Sequence, residues 1–208
     1  MAYKFITFEG GEGSGKSTQA RLLAERLRVL GHEIVLTREP GGSPLAEKIR
    51  ALILQQKPES SDAEFLLFAA ARAEHIATTI EPALTRGAFV ICDRYVHSTR
   101  VYQGTLGGID VRLIQEVERA TVAPFFPTLT VLLDVPAEIG VERVKKRGET
   151  NHYDWKDLGW HSDLRQAFLK EAAADPGRCS VIDADRGEAA IAADIWAKVV
   201  GAFNLGVS

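Results

Sequence analysis

Cysteine is scarce in this chain of 208 residues: only Cys92 and Cys179 occur, far apart and in no metal-gripping spacing. That excludes a disulfide scaffold and a cysteine-based zinc site, and it suits a reducing cytosol with both thiols as packing residues. Long apolar runs are absent too. No stretch of roughly 18 apolar residues could form a spanning helix, and Met1–Phe8 lacks a basic leader and a cleavage site, so a soluble, unexported, cytoplasmic protein is expected. Basic charge is not in excess, because the net charge is −3. This removes the usual basis for binding a nucleic acid polymer. Repeats, linkers and low-complexity tracts are missing as well. With 46% hydrophobic and 25% charged residues, the chain suits one domain over 1–208 with a sizeable core.

What the chain does contain is a complete phosphate-binding loop. Residues 10–17 read Gly10-Gly11-Glu12-Gly13-Ser14-Gly15-Lys16-Ser17, the pattern G-x-x-x-x-G-K-[ST], followed by Thr18. The glycines let backbone N–H groups turn toward one anion. Lys16 adds a point charge, Ser17 offers a hydroxyl to Mg²⁺, and the following helix presents its positive end. The flanks agree: Tyr3–Phe8 reads as a strand, and Leu22, Leu23, Leu27 and Leu30 recur at helical spacing after the loop. A nucleoside triphosphate is the expected ligand.

Strand-like runs at 3–8, 33–37, 88–92, 128–134 and 180–183 alternate with helical patterns near 16–30, 43–55, 62–86, 110–121, 136–147, 160–174 and 188–203. Such alternation predicts βαβ crossovers and a buried parallel sheet. Gly31, Gly87 and Gly177 follow helices, where left-handed caps belong, and Pro44 and Pro136 stand at helix starts. Residues 148–160 lack periodicity and read as a mobile segment.

In a parallel sheet, chemistry gathers past the carboxyl ends of the strands. After the second strand comes Arg38-Glu39-Pro40-Gly41-Gly42-Ser43-Pro44, either a plain turn or a guanidinium aimed at a second phosphate. Asp93 and Arg94 follow the third strand, as a Mg²⁺ carboxylate beside a phosphate bridge or as a structural ion pair. Phe68 and Arg72, four apart on one helix face, suit stacking on and bonding to a base, although Phe68 beside Phe65 also reads as core. Arg143, Lys145, Lys146 and Arg147 end a helix, as dipole complement or as the cationic edge of a lid over 143–160.

Taken in order, FEGGEGSGKST, TREPGGSP, LLFAAARAEH, DRYVHSTRVYQG and ERVKKRG make the chain resemble bacterial thymidylate kinases from Lys4 to about Phe168. The resemblance implies an α/β P-loop kinase sandwich of three layers, with a five-stranded parallel sheet and a small lid. It implies γ-phosphoryl transfer from ATP, with Mg²⁺, to dTMP, giving dTDP and ADP for dTTP synthesis. By position, residues 10–18 would hold ATP, Glu12 would face the acceptor deoxyribose, and Arg38 and Arg94 would hold the dTMP phosphate. Phe68 would stack on thymine, Arg72 would bond O4, Thr99 and Gln103 would line the base pocket, and Tyr102 would crowd the 2′ position. Relatives commonly pair through helices of the first half, so a homodimer is expected.

The departures are informative. Gly13 stands where eukaryotic-type members carry a catalytic arginine, which sends the missing charge to Arg143 and Arg147. Asn151-His152 replaces the common Asp-Arg of the lid, so turnover would fall as His152 loses its proton near about pH 6.5. Ala71 replaces an Asp, and Arg100 has no family role. A monophosphate acceptor is already largely deprotonated, with a second pKa near about 6, so no general base is required. Lys16, Mg²⁺, Arg94 and the lid arginines would then stabilise the charge. Alternatives are a kinase for another pyrimidine monophosphate or for a deoxynucleoside, with Glu39 as base. A nucleotide-switched binding protein would need a motif such as N-K-x-D, which is missing.

Overall fold

The computed structural model describes residues 3–55, 58–148 and 153–206. His152 and Asn151 lie outside the described residues, as does the side chain of Arg147. Five strands, β1 Phe5–Glu9, β2 Ile34–Arg38, β3 Phe89–Asp93, β4 Leu129–Asp134 and β5 Cys179–Asp183, form one parallel sheet in the order β2-β3-β1-β4-β5. β1 sends the chain toward β2 on one side, and β3 sends it across to β4 on the other. The adjacent pair β1 and β3 is therefore where the connections reverse and a ligand crevice opens.

Alternation along the strands divides the core. Ile6, Phe8, Phe89, Ile91, Val131 and Leu133 face α1 (Lys16–Val29) and α9 (Glu188–Phe203), against Leu23, Leu27, Ile191, Ile195 and Val199. Phe5, Val90 and Cys92 face the other way, toward Ile76, Ile80, Leu84, Tyr95 and Phe125. Leu132 meets Leu164 and Phe168 of α8 (Leu158–Ala174) on that second face. Both faces are covered, which gives the three layers.

The remaining helices are α2 Pro44–Gln55, α3 Ser61–His75, α4 Glu81–Thr85, α5 Val96–Thr99, α6 Val111–Thr121 and α7 Ala137–Arg147. Several expectations change in detail. The pattern at 62–86 is not one regular helix, because a π-helical turn, Ile76–Ile80, separates α3 from α4. Residues 96–105, to which no pattern was assigned, form α5 and a second π-helical turn, Arg100–Thr105. Their buried side chains, Val96, His97, Thr99, Val101 and Gln103, do not repeat at one helical period. Gly31 and Gly87 adopt positive φ, but Gly177 does not, since α8 ends at Asp175 instead. Pro44 opens α2, whereas Pro136 is the residue before α7.

The register carries Arg38 opposite Asp93, Phe8 opposite Asp93 and Asp134 opposite Asp183. All the polar strand ends thus lie along one edge.

Candidate active site

The phosphate loop fills the bend between β1 and α1. Gly10 and Gly13 hold φ of 134° and 70°, where other side chains are strained. Space is equally decisive, because a Cβ on Gly13 would lie 2.2 Å from the Gly140 carbonyl oxygen and one on Gly140 would lie 2.6 Å from that of Glu12. α7 therefore touches the loop backbone to backbone, and this is the physical reason that position 13 carries no side chain.

Lys16 lies back over the loop, with Nζ donating to Gly11 O at 2.7 Å, Gly10 O at 3.1 Å and Ser14 Oγ at 3.2 Å. Burial, helped by the neighbouring charge of Arg94, pushes its ammonium down to about 8. Ser17 Oγ donates to Asp93 Oδ2 at 2.5 Å. A hydroxyl and a carboxylate side by side at the loop are hard oxygen donors that fit Mg²⁺.

Arg94 does not pair with Asp93. It stands at φ 69°, in the left-handed region, and reaches back under the loop. Its Nη2 donates to Glu12 Oε1 at 2.9 Å and its Nη1 to Gly10 O at 3.2 Å, with its guanidinium 5.1 Å from the Tyr102 ring centre. Tyr102 OH donates to the same Glu12 oxygen at 2.8 Å. Burial alone would raise the Glu12 carboxyl, but Arg94, Lys16 and the Tyr102 hydroxyl hold it down to about 2.

A cleft of about 550 Å³ runs from this corner to α3. Glu12, Gly13, Gly15, Lys16, Ser17, Thr18, Asp93 and Arg94 line one end, Phe68, Arg72, Thr99 and Gln103 the other, with Arg38, Tyr102 and Arg143 also on its wall. Phe68 is half-buried and faces the cleft, while Phe65 belongs to the core at 1% exposure. Arg38 is exposed and paired with Glu47 at 3.2 Å. Arg143 lines the wall and donates Nη1 to Ala184 O at 3.1 Å. Gln103 Nε2 donates to Glu64 Oε1 at 3.0 Å, and Tyr153 OH donates to the same oxygen at 2.7 Å. Tyr153 thereby spans from the segment before α8 to α3, packed on Tyr102 and Trp160.

Two groups in or beside the cleft were not foreseen. Arg50 lines the cleft and donates to Pro40 O at 2.8 Å, its basicity lowered by burial and by Arg38. Glu9, buried at the end of β1, accepts from Tyr95 N and Ser98 Oγ at 2.8 and 2.6 Å, and burial raises its carboxyl. Arg50 lies on α2, where nothing in the sequence pattern set it apart from an ordinary exposed helix cation. Glu9 offered no signal beyond its place at a strand end. Arg100 is accounted for as a brace: it donates to Glu118 at 2.6 Å and lies 3.8 Å from Glu171, far from any role in the cleft wall.

A glycine loop that aims Lys16 and Ser17 into the same cleft as a fixed, buried guanidinium suits transfer of phosphate between two bound molecules, and the sheet order sets the chain among the P-loop phosphotransferases. Comparison with known proteins narrows that class. The thymidylate kinase family model matches residues 8–195. Thymidylate kinase from Nitrobacter winogradskyi is 52% identical over 93% of this chain and 86% of its own length. That from Afipia carboxidovorans is 49% identical over 93% and 87%. The crystal structure of thymidylate kinase from Ehrlichia chaffeensis superposes with a TM-score of 0.75 at 35% identity, covering 94% of this chain and 97% of that one. The chain belongs to the thymidylate kinase family, the ATP-dependent enzymes that phosphorylate dTMP to dTDP.

Proposed function

We propose that this chain transfers the γ-phosphoryl group of ATP to dTMP within the single cleft, with ATP on the phosphate loop and dTMP laid from Arg94 to Phe68. The observation that carries the reading is continuity: Lys16 and Ser17, then Arg94, then Phe68 and Arg72 lie along one cavity. Lys16 and the loop N–H groups hold the β- and γ-phosphates. Arg38 and Arg94 hold the acceptor phosphate, with Arg50 beside them. Burial already depresses Lys16 and Arg50, helped by Arg94 beside the first and Arg38 beside the second, so an arriving phosphate relieves unfavourable charge. Ser17 and Asp93 would hold Mg²⁺, which supplies neutralisation of the phosphate oxygens.

The acceptor phosphate is its own nucleophile, so the residues have to align it in line and offset charge; no side chain has to take a proton. Arg94, braced by Glu12 and Gly10 O, is pre-oriented for that work. Arg143 and Arg147 at the end of α7 would add cations as a lid over 143–160 closes. Glu12 and Tyr102 face the deoxyribose, and their mutual hydrogen bond leaves little room for a 2′-hydroxyl. Phe68 stacks on thymine, Arg72 donates to O4, and Thr99 and Gln103 border the base.

Glu39 counts against a deoxynucleoside kinase. It is 5% exposed and committed to Arg72 and His75, so it is not placed to take a proton from a hydroxyl. A homodimer belongs to the same proposal, supported by Leu45, Leu52 and Leu66, exposed on α2 and α3; sedimentation tests it. A coupled assay at fixed ATP across dTMP, dUMP, UMP, AMP and thymidine tests the activity. dTMP is expected to lead, and a preference for thymidine would sink the reading.

A further inference from the structure

Behind Arg72, at the base end of the cleft, Glu39, His75 and Thr37 form a chain of polar groups that no step above uses. Arg72 Nε donates to Glu39 Oε2 at 2.6 Å. The other carboxylate oxygen, Oε1, is 3.0 Å from His75 Nδ1, and His75 Nε2 is 2.7 Å from Thr37 Oγ1. Exposure is 5% for Arg72, 5% for Glu39 and 0% for His75. A carboxylate can only accept, so His75 carries its proton on Nδ1, and in the neutral ring Nε2 accepts from the Thr37 hydroxyl. The direction of each bond is thereby set from β2 to α3 and back to the turn after β2.

That chain decides which way Arg72 faces. Nη2 donates to Tyr95 O at 3.1 Å and to Thr99 Oγ1 at 2.9 Å, and Nε is taken by Glu39. Among the described residues, Nη1 alone of the three guanidinium nitrogens has no partner and is left to meet a base. The turn packs directly against the arrangement, since a Cβ on Gly42 would lie 2.3 Å from His75 Nε2 and 2.4 Å from Thr37 Oγ1. Cys92 also comes close, its Sγ within 4.8 Å of the Glu39 and His75 ligand atoms, which among the described residues makes a grouping of metal-like composition. Both His75 nitrogens and both Glu39 oxygens are already engaged, so the group is built for hydrogen bonding, not ligation.

We propose that Thr37, His75 and Glu39 are positioning residues that lock Arg72 as a fixed donor, and that this lock rejects pyrimidines with an amino group at position 4. It rests on the reading of Arg72 as the donor to O4. A base with an oxygen there accepts from Nη1. Cytosine presents its own N–H donors to the same nitrogen and would be tolerated only if the guanidinium could swing aside. With every other nitrogen tied to a buried acceptor, it cannot swing without leaving one of them unsatisfied.

The test compares kcat/KM for dTMP and dCMP at saturating ATP in the full chain. His75→Phe keeps the ring volume and removes the donor to Glu39; it should lower the dTMP-to-dCMP ratio about tenfold and raise the dTMP KM, with kcat for dTMP and the ATP KM unchanged. His75→Asn, which can return an N–H to the Nδ1 position, should restore most of the ratio. Thr37→Val, milder and nearly isosteric, should move the ratio about twofold to threefold the same way, and it serves should His75→Phe not fold. A ratio within twofold of wild type in folded His75→Phe, or in folded Thr37→Val if that alone is available, overturns the proposal. Arg72→Met separates the two readings. If it leaves the ratio unchanged, Arg72 is not the base reader; if it collapses the ratio while the Thr37 and His75 variants do not, the lock alone is wrong.

Discussion

The two ends of the cleft are made of different materials. At the phosphate end the contacts are backbone and cation: N–H groups of a glycine loop, a lysine folded over carbonyls, the braced Arg94 and an exposed Arg38. At the base end the polar contacts come from buried side chains, with Arg72 tied to Glu39, Tyr95 and Thr99. A phosphate looks the same on every nucleotide, so a ring of charged donors serves every acceptor alike. A base is told from its rivals by one or two atoms, and only a donor that cannot move will refuse the wrong one. The first end should therefore govern rate for all acceptors alike, and the second should govern which acceptor is chosen.

Lys16→Met gives the largest expected effect, a loss on the order of 10³ in kcat/KM, equal for every acceptor in steady-state assays. Arg143→Ala and Arg147→Ala should each lower kcat far more than they raise the dTMP KM; wild-type turnover in both would remove the lid from the account. Phe68→Ala should do the reverse, raising the dTMP KM about tenfold while kcat changes little. An equal fall in kcat would blur the division between the ends. Gly13→Ala should cost roughly 2–4 kcal/mol in thermal denaturation, since it adds strain at positive φ and drives Cβ into the Gly140 carbonyl.

The smallest effects are in pH. Lys16, depressed to about 8, is cationic below that value, so the ATP KM should rise as pH climbs through about 8, and Lys16→Arg should flatten the rise. The folded pKa of Glu12, about 2, lies below its ordinary value of 4.5. Its stabilisation is complete above about 4.5 and is lost as pH falls toward 2, and Arg94→Ala should abolish most of that acid dependence.

This contrast in materials also explains what the sequence discloses. The phosphate loop is contiguous, and all five strands are found within about two residues of their expected bounds, because buried parallel strands leave unbroken apolar runs. Asp157 shows how local chemistry moves a boundary: its side chain accepts from Trp160 N at 2.8 Å and starts α8 at Leu158, two residues before the apolar pattern. The base end is harder to read. Glu39 looked like a turn residue or a candidate base, Phe68 fitted the core, and His75 drew no notice, because their partners come from β2, α3 and α5. The π-helical turns at 76–80 and 100–105 obey no single period and stayed hidden. The ion pair of Glu12 with Arg94, 82 residues away, depends on a left-handed arginine that no spacing announces.

Quantifying both products of one reaction tests the central claim most directly, with ATP and dTMP supplied and ADP and dTDP measured over time. Coupled transfer between the two ends predicts that dTMP stimulates ATP consumption, with dTDP formed in equal amount to ADP. ATP consumed without matching dTDP would contradict it.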